Sequence, residues 1–121
     1  MKDCVSLEVA QKLQKAGYKT QGEYNWKLGD EWTLCRKGSI EDGFCYDLSI
    51  PAPTTTQLAE ELKMITPKDT SGFDYTITIE VIFRRWRVAY GPVFNDFVAI
   101  SGNLPDALGL MMEYLLVNKL I

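Results

Sequence analysis

The chain has 121 residues, 46% of them apolar and 24% charged, with a net charge of −3 and no histidine. That length and balance describe one globular domain over residues 1–121, large enough to bury a core without a disulfide or a metal. An acidic chain is a poor non-specific DNA or RNA binder, because phosphate neutralisation supplies most of that affinity, and the missing histidine removes the commonest general base and metal ligand.

The first predicted helix runs from about Ser6 to Ala16. Ser6 is a plausible N-cap, and Val9, Leu13 and Ala16 recur at helical spacing beside Ala10. Gly17 fits the left-handed position past the helix end, from which Tyr18 folds back on Leu13. A three-stranded meander is expected next. Tyr24, Trp26 and Leu28 alternate with Asn25 and Lys27, and Gly29-Asp30 is a hairpin signal. Trp32 and Leu34 alternate with Thr33 and Cys35. After a longer turn over Gly38 to Asp42, Phe44, Tyr46, Leu48 and Ile50 share one face of the third strand. A symmetric turn would place Cys35 opposite Cys45.

Ile50-Pro51-Ala52-Pro53 ends the sheet run. Thr54 with Gln57 forms a capping box, and Leu58, Leu62 and Ile65 give the second helix its apolar stripe up to Thr66-Pro67. Phe73 to Phe83 is the clearest strand, with Phe73, Tyr75, Ile77, Ile79, Val81 and Phe83 on one face and Asp74, Thr76, Thr78 and Glu80 on a wet one. Parity then changes. Arg84-Arg85 is a tight turn or a bulge, and the turn is preferred because an unbroken strand to Tyr90 would be unusually long. Trp86, Val88 and Tyr90 alternate with Arg87 and Ala89, Gly91-Pro92 breaks the run, and Phe97 to Ile100 is a last short strand.

Asn103 to Asn118 is the helix around which the chain is organised. Asn103 is a good N-cap, Pro105 lies in the first turn and Asp106 reaches back to the cap. Its apolar residues cover roughly 260° of the circumference, against the roughly 100° stripe of a one-sided helix. Only Asp106, Gly109 and Glu113 make a polar wedge. Such a helix is either wrapped by its own sheet and helices or shared with a partner through Leu110, Met112, Leu116 and Val117. The order α-β-β-β-α-β-β-β-α implies an α+β fold with one antiparallel sheet of about five to six strands packed against helices.

Three patterns carry a resemblance: Cys4-Val5-Ser6-Leu7-Glu8-Val9-Ala10 with Leu13 and Gly17-Tyr18; Ile50-Pro51-Ala52-Pro53-Thr54 with Leu58, Glu61 and Leu62; and Asn103-Leu104-Pro105-Asp106-Ala107-Leu108. Together they resemble small uncharacterised phage and prophage proteins. The resemblance implies an accessory gene of a mobile element working in a bacterial cytoplasm, and it carries no catalytic residue over.

The opening Met1-Lys2-Asp3-Cys4-Val5 has no apolar run of signal-peptide length, and no apolar run approaches the roughly 20 residues that span a bilayer. A cytoplasmic location without membrane contact is therefore expected. Three cysteines without a Cys-x-x-Cys pair argue against a secreted disulfide scaffold. Cys35 and Cys45 are then two reduced thiols packing as small hydrophobes, or a redox-sensitive cross-strand bridge. Zinc would need two more ligands, and only Cys4 remains. No nucleophile, phosphate-loop or metalloprotease motif is present, so a non-catalytic protein with no cofactor is expected. Arg84, Arg85 and Arg87 form the densest basic cluster. They suit a small phosphorylated ligand or a nucleic-acid loop, with Trp86 for stacking, or a solvated turn with Trp86 in the core. A non-catalytic protein acting by contact with itself (a homodimer) or with a host or phage protein is the leading reading.

Overall fold

The computed structural model of the chain describes residues 3–40, 46–63, 77–90 and 94–118. The first helix, α1 (Leu7–Lys15), starts where expected, with the Val9 N–H donating to Ser6 Oγ. It ends in a Schellman motif: Gly17 has φ +99°, its N–H donates to the Gln14 carbonyl, and the Tyr18 N–H donates to the Leu13 carbonyl. That geometry returns Tyr18 to the core beside Leu13.

Strands β1 (Tyr24–Leu28), β2 (Trp32–Arg36) and β3 (Leu48–Pro51) form one antiparallel sheet in the order β2-β1-β3. The expected meander is corrected: β3 returns past β2 to pair with β1, so Trp26 lies between Leu34 and Ile50. Cys35 therefore stands opposite Asn25, and its Sγ reaches the Thr33 carbonyl and the Tyr46 hydroxyl. The predicted apposition to Cys45 loses its basis, because β2 and β3 are not neighbours; Cys45 itself lies outside the described residues. Pro51 is tolerated because β3 is an edge strand. Leu48 is exposed where the alternation placed it inward with Ile50.

Helix α2 (Thr55–Lys63) is capped by Thr54, whose Oγ1 accepts the Gln57 N–H. The reciprocal half of the box is replaced. Gln57 Nε2 donates to the Tyr18 hydroxyl, so a local cap becomes a tie between α2 and the end of α1. Ile65 and the strand residues Phe73 to Thr76 lie outside the described residues.

The second sheet holds β4 (Ile77–Ile82), β5 (Arg85–Tyr90) and β6 (Phe94–Ser101) in the order β4-β5-β6, all antiparallel. The strands thus fall into two three-stranded sheets rather than one sheet of five to six. The parity change after Phe83 is a two-residue turn, but its residues are Phe83 and Arg84, and Arg85 already pairs with Ile82. The last strand is longer than its apolar run suggests, with a bulge against β5 between Val88 and Tyr90.

Helix α3 (Leu104–Val117) lies at the centre, packed on α1, on α2 and on β5 and β6. One cluster of buried side chains joins Val9 and Leu13 of α1, Leu58 and Leu62 of α2, Leu108, Met111 and Leu115 of α3, Ile50 of the first sheet, and Val88 and Ala99 of the second. The polar wedge of α3 is not its wet side. Gly109 is the point where α1 approaches, since a β-carbon there would stand 2.6 Å from Val9 Cγ1. Asp106 is buried beside it.

Candidate functional site

The apolar arc of α3 is spent inside the chain. Met112 is 3% exposed and belongs to the core, while Leu110 and Leu116 are half-buried against it. Of the four residues expected to form a shared helix face, only Val117 is open, at 61% exposure. One exposed apolar side chain is ordinary at a protein surface.

The open apolar surface lies instead at the β4–β5 hairpin. Phe83 is 94% exposed, Val81 58% and Ile100 51%, with Ile79 and Ile82 also exposed. The alternation Ile77, Ile79, Val81 predicted a covered face. Among the described residues, helix α3 packs chiefly on β5 and β6, and Ile77 reaches the core while Ile79 and Val81 stay exposed, so the face is right but only its first residue is covered. Ile79 and Val81 lie on one face of the sheet and Ile82 and Ile100 on the other, with Phe83 at the tip, so this end of the sheet exposes apolar side chains on both of its faces.

The turn itself is costly. Phe83 has φ +50° and Arg84 φ +64°. A two-residue turn with both central residues left-handed suits Asn-Gly, because a β-carbon crowds the following carbonyl; each ordinary residue there costs about 1–2 kcal/mol. Here a fully exposed phenylalanine and an arginine occupy both places.

Sheet register sorts the basic cluster. Trp86, Val88 and Ala99 face the core, so Arg85, Arg87 and Ile100 share the opposite face. Arg87 pairs with Glu80 directly across the strand pair, a partly exposed contact. Among the described residues, Arg84 and Arg85 make no ion pair. Arg85 and Arg87, with Ile82, Phe83 and Ile100, line an open hollow of about 320 Å³. Trp86 lies on the far side of the sheet from it, so the cluster does not combine guanidinium groups with a stacking indole.

Other places offer less. An apolar hollow of about 340 Å³ runs beside Cys4, Trp26 and Pro105. Its polar groups are engaged: Trp26 Nε1 donates to the Val5 carbonyl, and Asn103 and Ser6 are helix caps. Among the described residues no three metal-ligating side chains gather, and no helix is long and apolar enough to cross a membrane. The Tyr18 phenol is held well above its ordinary value of about 10 by burial first and then by Glu61, whose Oε1 accepts a hydrogen bond from the hydroxyl at 2.8 Å. It ties the end of α1 to α2.

Comparison with protein-family models, with curated proteins and with solved structures gives no match to this chain.

Proposed function

We propose that this is a non-catalytic accessory protein of a phage or prophage that acts in the cytoplasm by protein–protein contact and self-associates, with the β4–β5 hairpin as its contact surface. The observation that supports the contact reading most is the exposed set Ile79, Val81 and Ile82 of β4 with Phe83, which stands on a turn that strains both of its central residues. Stored strain beneath an exposed aromatic is what a recognition loop maintains at the expense of stability. The mobile-element setting rests on the three sequence patterns, whose residues are here caps and core positions.

Native mass spectrometry of the untagged protein tests this reading. A dimer or larger assembly is expected, weakened by Phe83→Ser and by Val81→Ser and unaffected by Val117→Ser. A monomer at every concentration, or an assembly broken by Val117→Ser alone, would overturn it.

A second reading has its own support in the hollow lined by Arg85 and Arg87, with Arg84 next to Arg85 in sequence. Guanidinium groups bind phosphate as planar forks, so a small phosphorylated ligand fits this place better than a nucleic acid that requires stacking. Arg84→Glu with Arg85→Glu should abolish retention of polyphosphate while the circular dichroism spectrum is kept; unchanged retention would end the idea.

A further inference from the structure

We infer that the partner at the hairpin is a second copy of this chain, joined to the first along the free edge of β4. The two strands run antiparallel across a two-fold axis through an Ile79–Ile79 pair, giving one six-stranded sheet in the order β6-β5-β4-β4-β5-β6. This rests on the self-association reading and adds its geometry.

Strand β4 ends its sheet, and among the described residues nothing pairs with its outer side. The hairpin fixes which backbone groups face that side. Ile82 and Arg85 close a two-residue turn, so they exchange both ladder bonds, and Glu80 with Arg87 and Thr78 with Ala89 follow at alternate positions. The N–H and C=O groups of Ile77, Ile79 and Val81 therefore point outward. Their side chains lie on the face that also carries Trp86 and Val88.

Two-fold symmetry then restricts the register. An outward-facing residue must meet an outward-facing one, so the axis passes through a residue paired with its own copy. An axis through Glu80 sets two carboxylates side by side, with β-carbons about 4.5–5.5 Å apart. An axis through Thr78 pairs Ile77 with Ile79 and leaves Val81, the most exposed of the outward-facing residues, without a partner from β4. The axis through Ile79 pairs Ile77 with Val81 twice and Ile79 with itself. On the other face it sets each Thr78 beside a Glu80 whose charge Arg87 already faces.

Edge strands of monomeric proteins are blunted with lysine, proline or a bulge. Ile77-Thr78-Ile79-Glu80-Val81-Ile82 has none of these, and its pairing with β5 is regular throughout. Joining two copies also brings the bare strips together, with Ile77, Ile79 and Val81 of both chains side by side on one face of the joined sheet.

Sedimentation equilibrium of single variants tests the register. Ile79→Pro removes an N–H that points away from β5, so the hairpin is kept and the dimer is expected to weaken at least tenfold. Thr78→Lys, opposite Glu80 of the other copy, should tighten it roughly three- to tenfold through two equivalent pairs, and Thr78→Glu should loosen it by a similar factor. A dimer that ignores both Thr78 variants overturns this register. If that dimer still dissociates on Phe83→Ser, self-association at the hairpin survives and only the edge pairing fails. A protein that is monomeric throughout overturns both.

Discussion

The Asp106 carboxylate accepts the backbone N–H of Ser6 at 2.7 Å, across 100 residues of sequence. Its other oxygen accepts from Asn103 Nδ2, while Asn103 Oδ1 accepts the Asp106 N–H. Asp106 thus closes the start of α3 on itself and fastens the start of α1 to it. Both oxygens face donors, so Asp106→Asn must turn its own amide hydrogens on one of them. A loss of about 1–2 kcal/mol is expected, and about 2–3 kcal/mol for Asp106→Ala, which leaves the Ser6 N–H unpaired. Urea denaturation followed by tryptophan fluorescence measures both; equal stability of all three proteins would show that the tie contributes nothing.

Gly109 makes the opposite kind of contact, by having no side chain. Alanine is a better helix residue by about 1 kcal/mol. Its methyl would nevertheless lie 2.6 Å from Val9 Cγ1 and 3.0 Å from Val5 Cγ1. Overpacking of that kind costs about 1–3 kcal/mol, so Gly109→Ala should be neutral to destabilising despite the propensity gain. Val9→Ala opens the space, and Gly109→Ala should become stabilising in that background. A double-mutant cycle with no coupling would mean that the helices separate freely.

These two residues mark the limit of what the sequence discloses. Caps are local, and Ser6, Gly17, Thr54 and Asn103 stand where their types and spacing place them. Asp106 and Gly109 read as a wet wedge because a polar side chain and a missing one look alike in a hydrophobicity pattern; what distinguishes them is a partner helix 100 residues away. Period-two alternation assigns faces, not neighbours. It could not reveal that β3 passes β2 to reach β1. Nor could it reveal that Ile79 and Val81 stay exposed, since they are spelled as any covered strand is. Of the site, the basic cluster is legible as composition; Phe83, the residue at its tip, reads as one more member of the apolar strand face that begins at Phe73.

Tyr18 predicts a pH dependence. Burial and Glu61 raise its phenol above the value of about 10 that it has when unfolded. A raised value stabilises the fold fully below pH 10, and that contribution is lost as pH rises through the raised value, because the unfolded chain releases the proton first. Stability should therefore fall above pH 10 in the parent more steeply than in Tyr18→Phe. At neutral pH Tyr18→Phe should cost about 1 kcal/mol, since Glu61 and Gln57 each lose a hydrogen-bond partner. In a spectroscopic alkaline titration the substitution should remove a phenol that ionises above its ordinary value. Parallel stability curves for the two proteins across pH 9–12 would show that the burial of this hydroxyl is not felt.

The turn at Phe83 and Arg84 offers a test in which stability and contact move in opposite directions. Phe83 is almost wholly exposed, so removing its ring forfeits little packing. Phe83→Asn with Arg84→Gly places the preferred pair in a turn that already has both φ angles positive. The double variant should gain about 1–2 kcal/mol in denaturation by relieving the left-handed strain. If the exposed ring is what a partner grips, the same variant should associate more weakly although it folds better, a combination that general destabilisation cannot produce. Sedimentation and denaturation of one preparation read both quantities. A variant that is more stable and associates as tightly as the parent would leave the strain in this turn without a function and move the contact to the strand β4 itself, where Ile79 and Val81 lie.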